Sequence, residues 1–476
     1  MEKRNLSIKQ LFNLSFGFFG VQIAYALQSA NISRIFATLG ADPHQLSFFW
    51  VLPPLMGMIV QPLIGILSDR TWFGKFFGRR KFYLLVGAVV AVAVMILLPN
   101  AGDFNFEQRV YMSLSSAMWF GFFALMFLDT SINVAMQPFK MMVGDMVNEE
   151  QKGLAYSIQS SLCNAGSIVG FVFPYFFSWI GISKVAPQGV IPDSVKWSFY
   201  VGAAILIICV LYTFFAVEEM DPKEYAEFHG LDKKKEETKE DGNNSNNDVV
   251  VRAFITIGLV QFFCWAAFLY MWNYTSGAMA LQCFGWNGLD TSVSAFQEAG
   301  DWVGICFAVQ ACGSLVWAML LPWLEKKWGN KGAYAISLFV GGLGFISTFF
   351  FTNQYVQFVS YVLIGAAWAA MLALPFTLFT NAIEGSKHMG TLLGLFNCTI
   401  CLPQIIAALC GGKVLSCFPE KIVEVITENG IEAVHVPVQQ YMLVVSGCLL
   451  ICGALAVFTI NEKKKAALTV NTDMPE

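Results

Sequence analysis

Asp129 is expected to be the only acidic residue well inside a predicted membrane span, because it follows the uncharged run 110–128 and the next charge along the chain is Lys140. An ionised side chain at the centre of a bilayer costs at least about 2.5–3.5 kcal/mol, so acids there are rare and usually functional. A carboxyl group in this position can take up and release a proton, because its neutral form avoids that cost. We therefore predict that Asp129 couples cation movement to a second event. The alternative is a carboxyl group that neighbouring hydroxyls and amides merely satisfy.

Amides and aromatic residues recur in several predicted spans, and two of the amides lie close to Asp129 in the sequence. Asn133 and Gln137 follow it at i+4 and i+8, so the three share one face of a helix. Paired donors and acceptors beside flat apolar rings suit a sugar, although each such residue alone is more often a helix–helix contact. We expect roughly half of the full set to line a sugar-binding cavity. The other candidates are Gln22, Tyr25, Gln28, Gln159, Asn164, Trp265, Trp272, Asn273, Trp368, Asn397 and Gln404.

Long uncharged runs predict the helices that must position these side chains, because a membrane-spanning helix needs about 20 apolar residues. The run 332–383 is too long for one helix, and its polar break at 352–354 divides it. The sequence therefore predicts an all-α fold of twelve spans, named here span 1 to span 12. Alternating ten-residue segments, the pattern of a membrane β-barrel, do not occur in these runs. The runs are 10–33, 45–68, 82–102, 110–128, 153–183, 197–217, 253–289, 302–324, 332–383, 389–412 and 436–461.

The composition agrees with a multi-pass membrane protein. Hydrophobic residues make up 56% of the chain and charged residues only 13%, whereas a soluble domain usually carries about 25% charge. If the N-terminus is cytoplasmic, 6 of the 29 Lys and Arg residues fall outside and 23 fall inside. This asymmetry predicts a cytoplasmic (inner or plasma) membrane location with both termini in the cytoplasm.

The chain divides into two halves around a charged segment. The predicted domains are a six-helix bundle over 1–217, a cytoplasmic linker over 218–250, a second six-helix bundle over 251–461 and a tail over 462–476. Pro138-Phe139 near the end of span 4 has a counterpart in Pro375-Phe376 near the end of span 10. Together with the matched topology, this correspondence favours an internal duplication.

The loop between spans 2 and 3 carries the sharpest short motif. Gly65 allows close helix approach, and Asp69 can pair with an arginine or cap the next helix. The motif resembles the signature loop of the major facilitator superfamily, and it predicts a loop that gates conformational change. Its residues are Gly65, Asp69, Arg70, Gly78, Arg79 and Arg80.

A longer string over roughly the first 170 residues resembles the sucrose–proton symporters of plants and their bacterial relatives, within the glycoside–pentoside–hexuronide:cation symporter group. The resemblance implies that Asp129 is the proton-coupling residue and contacts the sugar. It also links His44 to the outer sugar path, although a loop cap is an equal alternative for that histidine. The string is Gly20-Val21-Gln22, Ala26-Leu27-Gln28, Leu39-Gly40, Pro43-His44, Gln61-Pro62, Ser68-Asp69-Arg70, Gly78-Arg79-Arg80 and Leu128-Asp129, with Asn133, Gln137 and Asp145.

Two departures from that family affect the expected substrate. The family's Gln-Gly-Pro-x-Arg in span 4 is Gln137-Pro138-Phe139-Lys140 here, and an ammonium cannot reproduce a bidentate guanidinium contact. The family's aromatic–Asp pattern in span 7 is Trp272-Asn273-Tyr274, without the acid. Maltose or another glucoside is therefore as plausible a substrate as sucrose.

The sequence thus predicts a proton-coupled disaccharide or glucoside symporter that works by alternating access as a monomer in the lipid bilayer. Coupling to sodium, a lipid-like cargo and a non-transporting sugar sensor remain alternatives. The motifs of metalloproteases and serine hydrolases are absent from the sequence, which predicts no enzyme activity. No cofactor, metal ion or nucleic-acid partner is expected. All four histidines, His44, His229, His388 and His435, fall in predicted loops.

Overall fold

A computed structural model describes residues 5–104, 110–111, 114–228, 245–382, 392, 395–427 and 430–460. The predicted tail, the centre of the linker and most of the connection between spans 10 and 11 lie outside these residues. Long helices dominate the described part. Their bounds are Ile8–Thr38, Pro43–Phe49 with Leu52–Arg70, Lys81–Leu97, Ser116–Met146, Glu149–Trp179, Asp193–Ala216, Ser245–Cys283, Ser294–Thr348, Gln357–Ala382, Cys398–Leu415 and Gln440–Ala456.

Ser294–Thr348 contains two spans, because the chain reverses at Gly329 with φ 72° and ψ 172°. Trp317 Nε1 donates to Ser337 Oγ at 2.8 Å. Twenty residues of straight helix would separate these side chains by about 30 Å, so spans 8 and 9 form a hairpin. Ten helices are long and apolar enough to cross a membrane, counting Ser294–Thr348 once. With that hairpin counted twice and the 31-residue helix Ile8–Thr38 added, the described part contains the twelve predicted spans.

Side-chain caps fix where several helices begin. Ser7 and Gln10 form a capping box at the start of span 1. Asp42 accepts from the His44 backbone N–H at 2.8 Å, and Asn148 accepts from the Gln151 N–H at 2.9 Å in the same way. Each oxygen satisfies a donor that the first helical turn leaves unpaired. Short polar residues between the apolar runs therefore set the helix starts.

The spans alternate in direction, so the molecule has two ends. We call the end with residues 5–7, 71–80, 147–148 and 217–228 the linker end. The opposite end, with residues 39–42, 284–293, 416–427 and 430–439, is the far end. It carries two antiparallel strand pairs, Val110–Tyr111 with Leu114–Ser115 and Glu420–Thr427 with Gly430–Pro437. The second pair forms a hairpin between spans 11 and 12.

Glycines let several spans pack closely. A Cβ at Gly87 of span 3 would lie 2.6 Å from the Ala135 backbone nitrogen of span 4, and one at Gly170 of span 5 would lie 2.7 Å from the Ile23 carbonyl oxygen of span 1. Gly65 behaves differently, since its nearest neighbour would be Met141 Cε at 3.9 Å. The expected close approach at Gly65 is therefore not present in this state, and Gly87 provides one instead.

The predicted all-α, multi-span fold is confirmed, with two differences in detail. Span 4 begins at Ser116 rather than near residue 110, because residues 110–111 pair with residues 114–115 as strands. Asp129 was expected to be the only acid well inside a span, and this expectation is wrong. Asp301 lies within the helix Ser294–Thr348 and is 2% exposed. The spans were predicted from runs without charged residues, and the run of span 8 begins one residue later, at Trp302. Asp301 therefore fell outside the predicted span.

Candidate functional site

Asp129 lies in the interior of span 4 and is 2% exposed. Its Oδ1 accepts a hydrogen bond from Gln28 Nε2 of span 1. Asp129 Oδ2 and Gln28 Oε1 have no hydrogen-bond partner among the described residues. A buried polar atom left unpaired costs roughly 1–3 kcal/mol. The pair therefore offers two unused acceptors to any group that enters the site.

Two of the predicted neighbours on span 4 have different surroundings. The Asn133 amide donates to the Asp129 backbone oxygen at 2.8 Å, and its Oδ1 accepts from Gln61 of span 2 at 2.7 Å. Asn133 therefore braces span 4 against span 2 instead of pointing at the carboxyl group. Gln137 is partly exposed. Lys140 is exposed and lies about 16 Å from Asp129 along almost the same helix face.

Span 1 brings two further predicted residues towards this region. Tyr25 is partly buried and lies close enough to Asp129, and to Cys401 of span 11, for electrostatic interaction. Gln22 is 9% exposed and packs on span 5 beside Gly166, where an added Cβ would lie 3.1 Å from Gln22 Cβ. The structure thus brings together Tyr25, Gln28 and Asp129, with span 11 nearby.

The predicted amides on spans 5 and 11 make local contacts. Each amide donates its described hydrogen bond to a backbone oxygen or a cysteine sulfur. None of these bonds is made to Asp129. The bonds are Gln159 to Phe139 O at 3.1 Å, Asn164 to Ser160 O at 2.9 Å, Gln404 to Ile400 O at 3.1 Å and Asn397 to Cys401 Sγ at 3.8 Å.

The predicted tryptophans form one cluster, here called the aromatic layer and consisting of Trp50, Trp265, Phe268, Trp272 and Trp368. The Trp368 ring packs edge-on against Trp265 and Trp272, with centroids 5.9 Å apart in both pairs. Trp50 stacks on Trp272 across the two halves at 6.0 Å. Trp265 Nε1 has no partner among the described residues. Trp50 lies in the predicted span 2 but was not among the predicted site residues, because hydropathy does not indicate which side of a span faces the other half.

Polar contacts join the halves on the far-end side of the aromatic layer. Asn273 donates to Ser47 Oγ at 2.6 Å, and that oxygen lies 2.7 Å from the Tyr274 hydroxyl. His44 Nδ1 lies 3.1 Å from the Gly412 carbonyl oxygen. Asn273 was predicted with the central set, but its described bond faces span 2 at the far end. The His44 side chain also lies at this junction. Its backbone N–H donates to the Asp42 side chain at the start of the short helix.

A buried ion pair, here called the far-end gate, joins span 1 to span 8. Arg34 Nη1 lies 2.6 Å from Asp301 Oδ1, with 1% and 3% of the side chains exposed. Gln297 Oε1 accepts from Arg34 Nε at 2.7 Å, and Ser178 of span 5 donates to Asp301 Oδ2 at 2.5 Å. Arg34 is one of the six Lys and Arg residues that the predicted topology places outside. The sequence contained one indication of this pair: Arg34 directly follows the uncharged run 10–33, and Asp301, of opposite charge, directly precedes the run 302–324.

At the linker end, the predicted gating loop forms an ionic network around Arg80. Arg80 Nη2 lies 2.5 Å from Asp69 Oδ1, and Arg80 Nε lies 2.9 Å from Asp145 Oδ2 at the end of span 4. Arg80 also donates to Ser68 Oγ. The loop therefore ties span 2 to spans 3 and 4. Arg70 is exposed.

The start of the linker completes this network. The Glu219 carboxylate accepts from the backbone N–H groups of Arg79 at 2.9 Å and Lys81 at 2.6 Å, at the start of span 3. A Cβ at Gly78 (φ 66°) would lie 2.5 Å from Glu219 Oε1, so a glycine is needed there. The Arg79 guanidinium lies 4.0 Å over the Tyr225 ring. Burial and the Asp145 charge raise the pKa of Tyr225, against the effect of Arg79.

Twelve spans with a buried polar pair on spans 1 and 4, close to span 11, are typical of a multi-pass membrane transport protein rather than an enzyme. The sequence model of the Major Facilitator Superfamily matches residues 14–408. The chain belongs to this family.

Similar proteins agree with this assignment. A sucrose transport protein of Oryza sativa subsp. indica is 24% identical over 453 residues, which cover 84% of this chain and 81% of that protein. A general alpha-glucoside permease of Schizosaccharomyces pombe is 26% identical over 183 residues, covering 37% and 32% respectively. The solved structure of a D-xylose-proton symporter superposes with a TM-score of 0.64 at 16% identity, over 96% of this chain and 97% of that one. That structure supports the fold alone.

Proposed function

We propose that this protein is a proton-coupled symporter of a disaccharide or glucoside, of the sucrose or maltose type. The substrate class follows from the two relatives named as sucrose and alpha-glucoside carriers. The observation that carries the proposal is the buried Asp129–Gln28 pair, with its two unpartnered acceptor oxygens.

The pair suits a hydroxylated ligand that arrives together with a proton. Sugar hydroxyls donate to Gln28 Oε1, and a protonated Asp129 carboxyl donates from Oδ2 to a further hydroxyl. An ionised Asp129 would have to accept at that position instead, and it would carry an uncompensated buried charge. Sugar and proton therefore bind more favourably together than separately, which is the condition for symport.

The aromatic layer supplies the second half of a sugar site. Trp272 is 8% exposed and Trp265 is 7% exposed, so each ring keeps a small accessible area. Flat apolar rings pack against the C–H face of a pyranose, while amides bind its hydroxyl edge. The unpartnered Trp265 Nε1–H offers one donor in addition. A lipid-like cargo would leave these buried polar atoms unpaired.

The surroundings of Asp129 favour a proton over sodium. A sodium site needs several oxygen ligands directed at one point, but Thr130 and Ser131 lie about 100° and 200° around the helix from Asp129, and their hydroxyls bond to the helix backbone. Thr130 Oγ1 donates to Met126 O at 2.8 Å, and Ser131 Oγ donates to Leu128 O at 2.9 Å. Asn133 Oδ1 accepts from Gln61. A proton requires only the carboxyl group itself.

Alternating access between the two bundles, 1–217 and 251–461, follows from the position of the inter-half contacts. The far-end gate, the Trp50–Trp272 stack and the Ser47–Asn273 bond all join the halves at or towards the far end. We assign the linker end to the cytoplasm because 23 of 29 Lys and Arg residues lie on that side of the predicted topology. On this assignment the described state is closed to the outside. We further propose a cytoplasmic (plasma) membrane location, cytoplasmic termini and a functional monomer, since one chain holds the whole site.

Uptake into proteoliposomes tests this proposal. Labelled maltose and sucrose are offered with a proton gradient, a sodium gradient or neither. We expect uphill accumulation of at least one sugar under the proton gradient alone, and loss of accumulation in Asp129→Asn. Asp193→Asn is the matched control, because Asp193 is an exposed acid at the start of span 6. Uphill accumulation by Asp129→Asn would contradict the coupling role, and accumulation driven only by sodium would replace the proton.

A further inference from the structure

A cavity, here called the vestibule, lies at the far end and has a volume of about 610 Å³. Spans 1, 2 and 7, the loop between spans 7 and 8, and the end of the hairpin before span 12 form its walls. Ligand sites commonly measure about 300–1,000 Å³. The vestibule is therefore large enough for a disaccharide.

Two buried amides in the vestibule wall have unused acceptors. Asn273 is 0% exposed and Gln439 is 3% exposed. Asn273 Oδ1 and Gln439 Oε1 lack hydrogen-bond partners among the described residues, although both residues line the cavity. Leaving two buried carbonyl oxygens unpaired is unfavourable. Both are acceptors, so the missing partner is a donor such as a hydroxyl group.

The vestibule lies against the closed gate. Thr38 and Thr291 line the cavity, and both are bonded to Gln297, at 3.2 Å through Thr38 Oγ1 and at 2.7 Å through the Thr291 carbonyl oxygen. Gln297 also holds Arg34 of the far-end gate. The gate therefore lies behind the wall of the vestibule and is connected to it through Gln297, and Asp129 is not among the lining residues.

The hairpin is packed firmly over the vestibule. Val436 is 3% exposed, and a Cβ at Gly288 (φ 92°) would lie 2.1 Å from Val436 Cγ1. Gln439 lies as close to span 7, since a Cβ at Gly277 would be 2.2 Å from its amide oxygen. These contacts hold the Gln439 amide in place. Trp286, 5% exposed, adds a flat apolar wall on the same side.

We propose that the vestibule is a carbohydrate-binding site on the outer side of the closed gate, distinct from the Asp129 site. Asn273 and Gln439 accept hydrogen bonds from sugar hydroxyls, and Trp286 contacts an apolar face of the ring. The hairpin holds the sugar against the gate, so that opening of Arg34–Asp301 releases it towards Asp129. This inference rests on the proposed sugar transport.

Hydrogen–deuterium exchange of the purified full chain tests the vestibule, with maltose and sucrose each as the probe. We expect a saturating sugar to slow exchange in the strand Gly430–Pro437 at least about threefold in the wild type. The same protection, with the same sugar concentration giving half of the effect, is expected in Gln28→Ala, which weakens binding at the Asp129 site about tenfold. It should be lost in Gln439→Leu, which keeps the volume of the side chain but removes the amide acceptor.

The outcomes distinguish a failure of the vestibule proposal from a failure of the transport proposal. Uptake of a labelled sugar without protection of the strand overturns the vestibule and leaves the transport proposal standing. Protection that needs about tenfold more sugar in Gln28→Ala than in the wild type also overturns it, because the signal then originates at the Asp129 site. Neither uptake nor protection, with both sugars, overturns both proposals. Gly277→Ala is a second variant, because its Cβ displaces the Gln439 amide from span 7 and should weaken protection.

Discussion

At the scale of single residues, the feature that matters most is a hydrogen bond between two spans that leaves acceptors unused. Gln28 holds one oxygen of Asp129, so the other oxygen has a fixed direction. Other predicted amides, such as Asn133 and Asn164, donate hydrogen bonds to backbone carbonyl oxygens of their own helices. A ligand therefore gains more from the Gln28–Asp129 pair than from those amides.

Replacing Gln28 by alanine is expected to raise the KM for the transported sugar roughly tenfold. The physical reason is the loss of a hydrogen bond worth about 1–1.5 kcal/mol, together with a less fixed carboxyl group. The measurement is the initial rate of uptake into proteoliposomes against sugar concentration. Asn13→Ala in the same span, which removes an acceptor of the Tyr212 hydroxyl at 2.8 Å, should change KM by less than about twofold. Equal effects in both variants would exclude a specific role for Gln28.

At the scale of helices, spans 1 and 8 are held together by a buried ion pair. Arg34 and Asp301 are both almost fully enclosed. Removing one partner from such a pair usually costs about 3–5 kcal/mol, because a buried charge is left unpaired. The cost applies only to the state in which the far end is closed. The gate therefore controls the balance between the two states of the transporter.

We expect Asp301→Asn to shift the protein towards a state that is open at the far end. The reporter is Ser29→Cys, because Ser29 lies in span 1 on the Asp129 side of the gate and is 5% exposed. A membrane-impermeant thiol reagent, added to intact cells, should label this cysteine faster in Asp301→Asn than in the parent. The assay uses a background in which the exposed native cysteines are replaced.

Two controls decide whether the gate is responsible. Glu298→Gln breaks the more exposed Lys184–Glu298 contact at 3.1 Å, and an exposed pair contributes only about 0–1 kcal/mol. Labelling should therefore stay at the parent rate. The double variant Arg34→Gln with Asp301→Asn removes both charges and should label more slowly than Asp301→Asn alone. Unchanged labelling in Asp301→Asn would refute the gating role.

At the scale of the whole molecule, closure of the far end depends on backbones that touch across the two halves. Gly411 of span 11 lies against span 2, and a Cβ there would be 2.2 Å from Ser47 Oγ. A Cβ at Gly304 of span 8 would lie 2.1 Å from the Phe171 carbonyl oxygen of span 5. Any larger side chain at these points forces the halves apart at the far end.

Gly411→Leu is therefore expected to abolish uptake of the labelled sugar while the protein still reaches the membrane. The transporter cannot close its far end, so it cannot complete an alternating cycle. Gly153→Leu is the matched control, because nothing lies within 4 Å of a Cβ at that helical glycine. Its uptake should remain within about twofold of the parent. Normal uptake by Gly411→Leu would show that this contact does not belong to the transport cycle.

Much of the fold could be predicted from the sequence, because each span must satisfy its own backbone in lipid. A charge-free stretch about 20 residues long therefore marks a helix whatever its neighbours are. The same reasoning found Asp129, whose cost depends on depth in the bilayer. It failed for Arg34 and Asp301, which pair 267 residues apart, because each lies at the edge of its uncharged run. The division into two bundles and their exact bounds remain predictions.

The sequence by itself determined the number of helices, the single acid at the centre of span 4 and the set of amides from which a site could be built. Only the tertiary structure decided that Gln28, among those amides, meets Asp129, and that Trp50 joins the aromatic layer. It also decided that Asn273 faces the vestibule. The physical reason is that hydropathy is local and adds along the chain, whereas hydrogen-bond direction depends on how helices rotate and pack against one another.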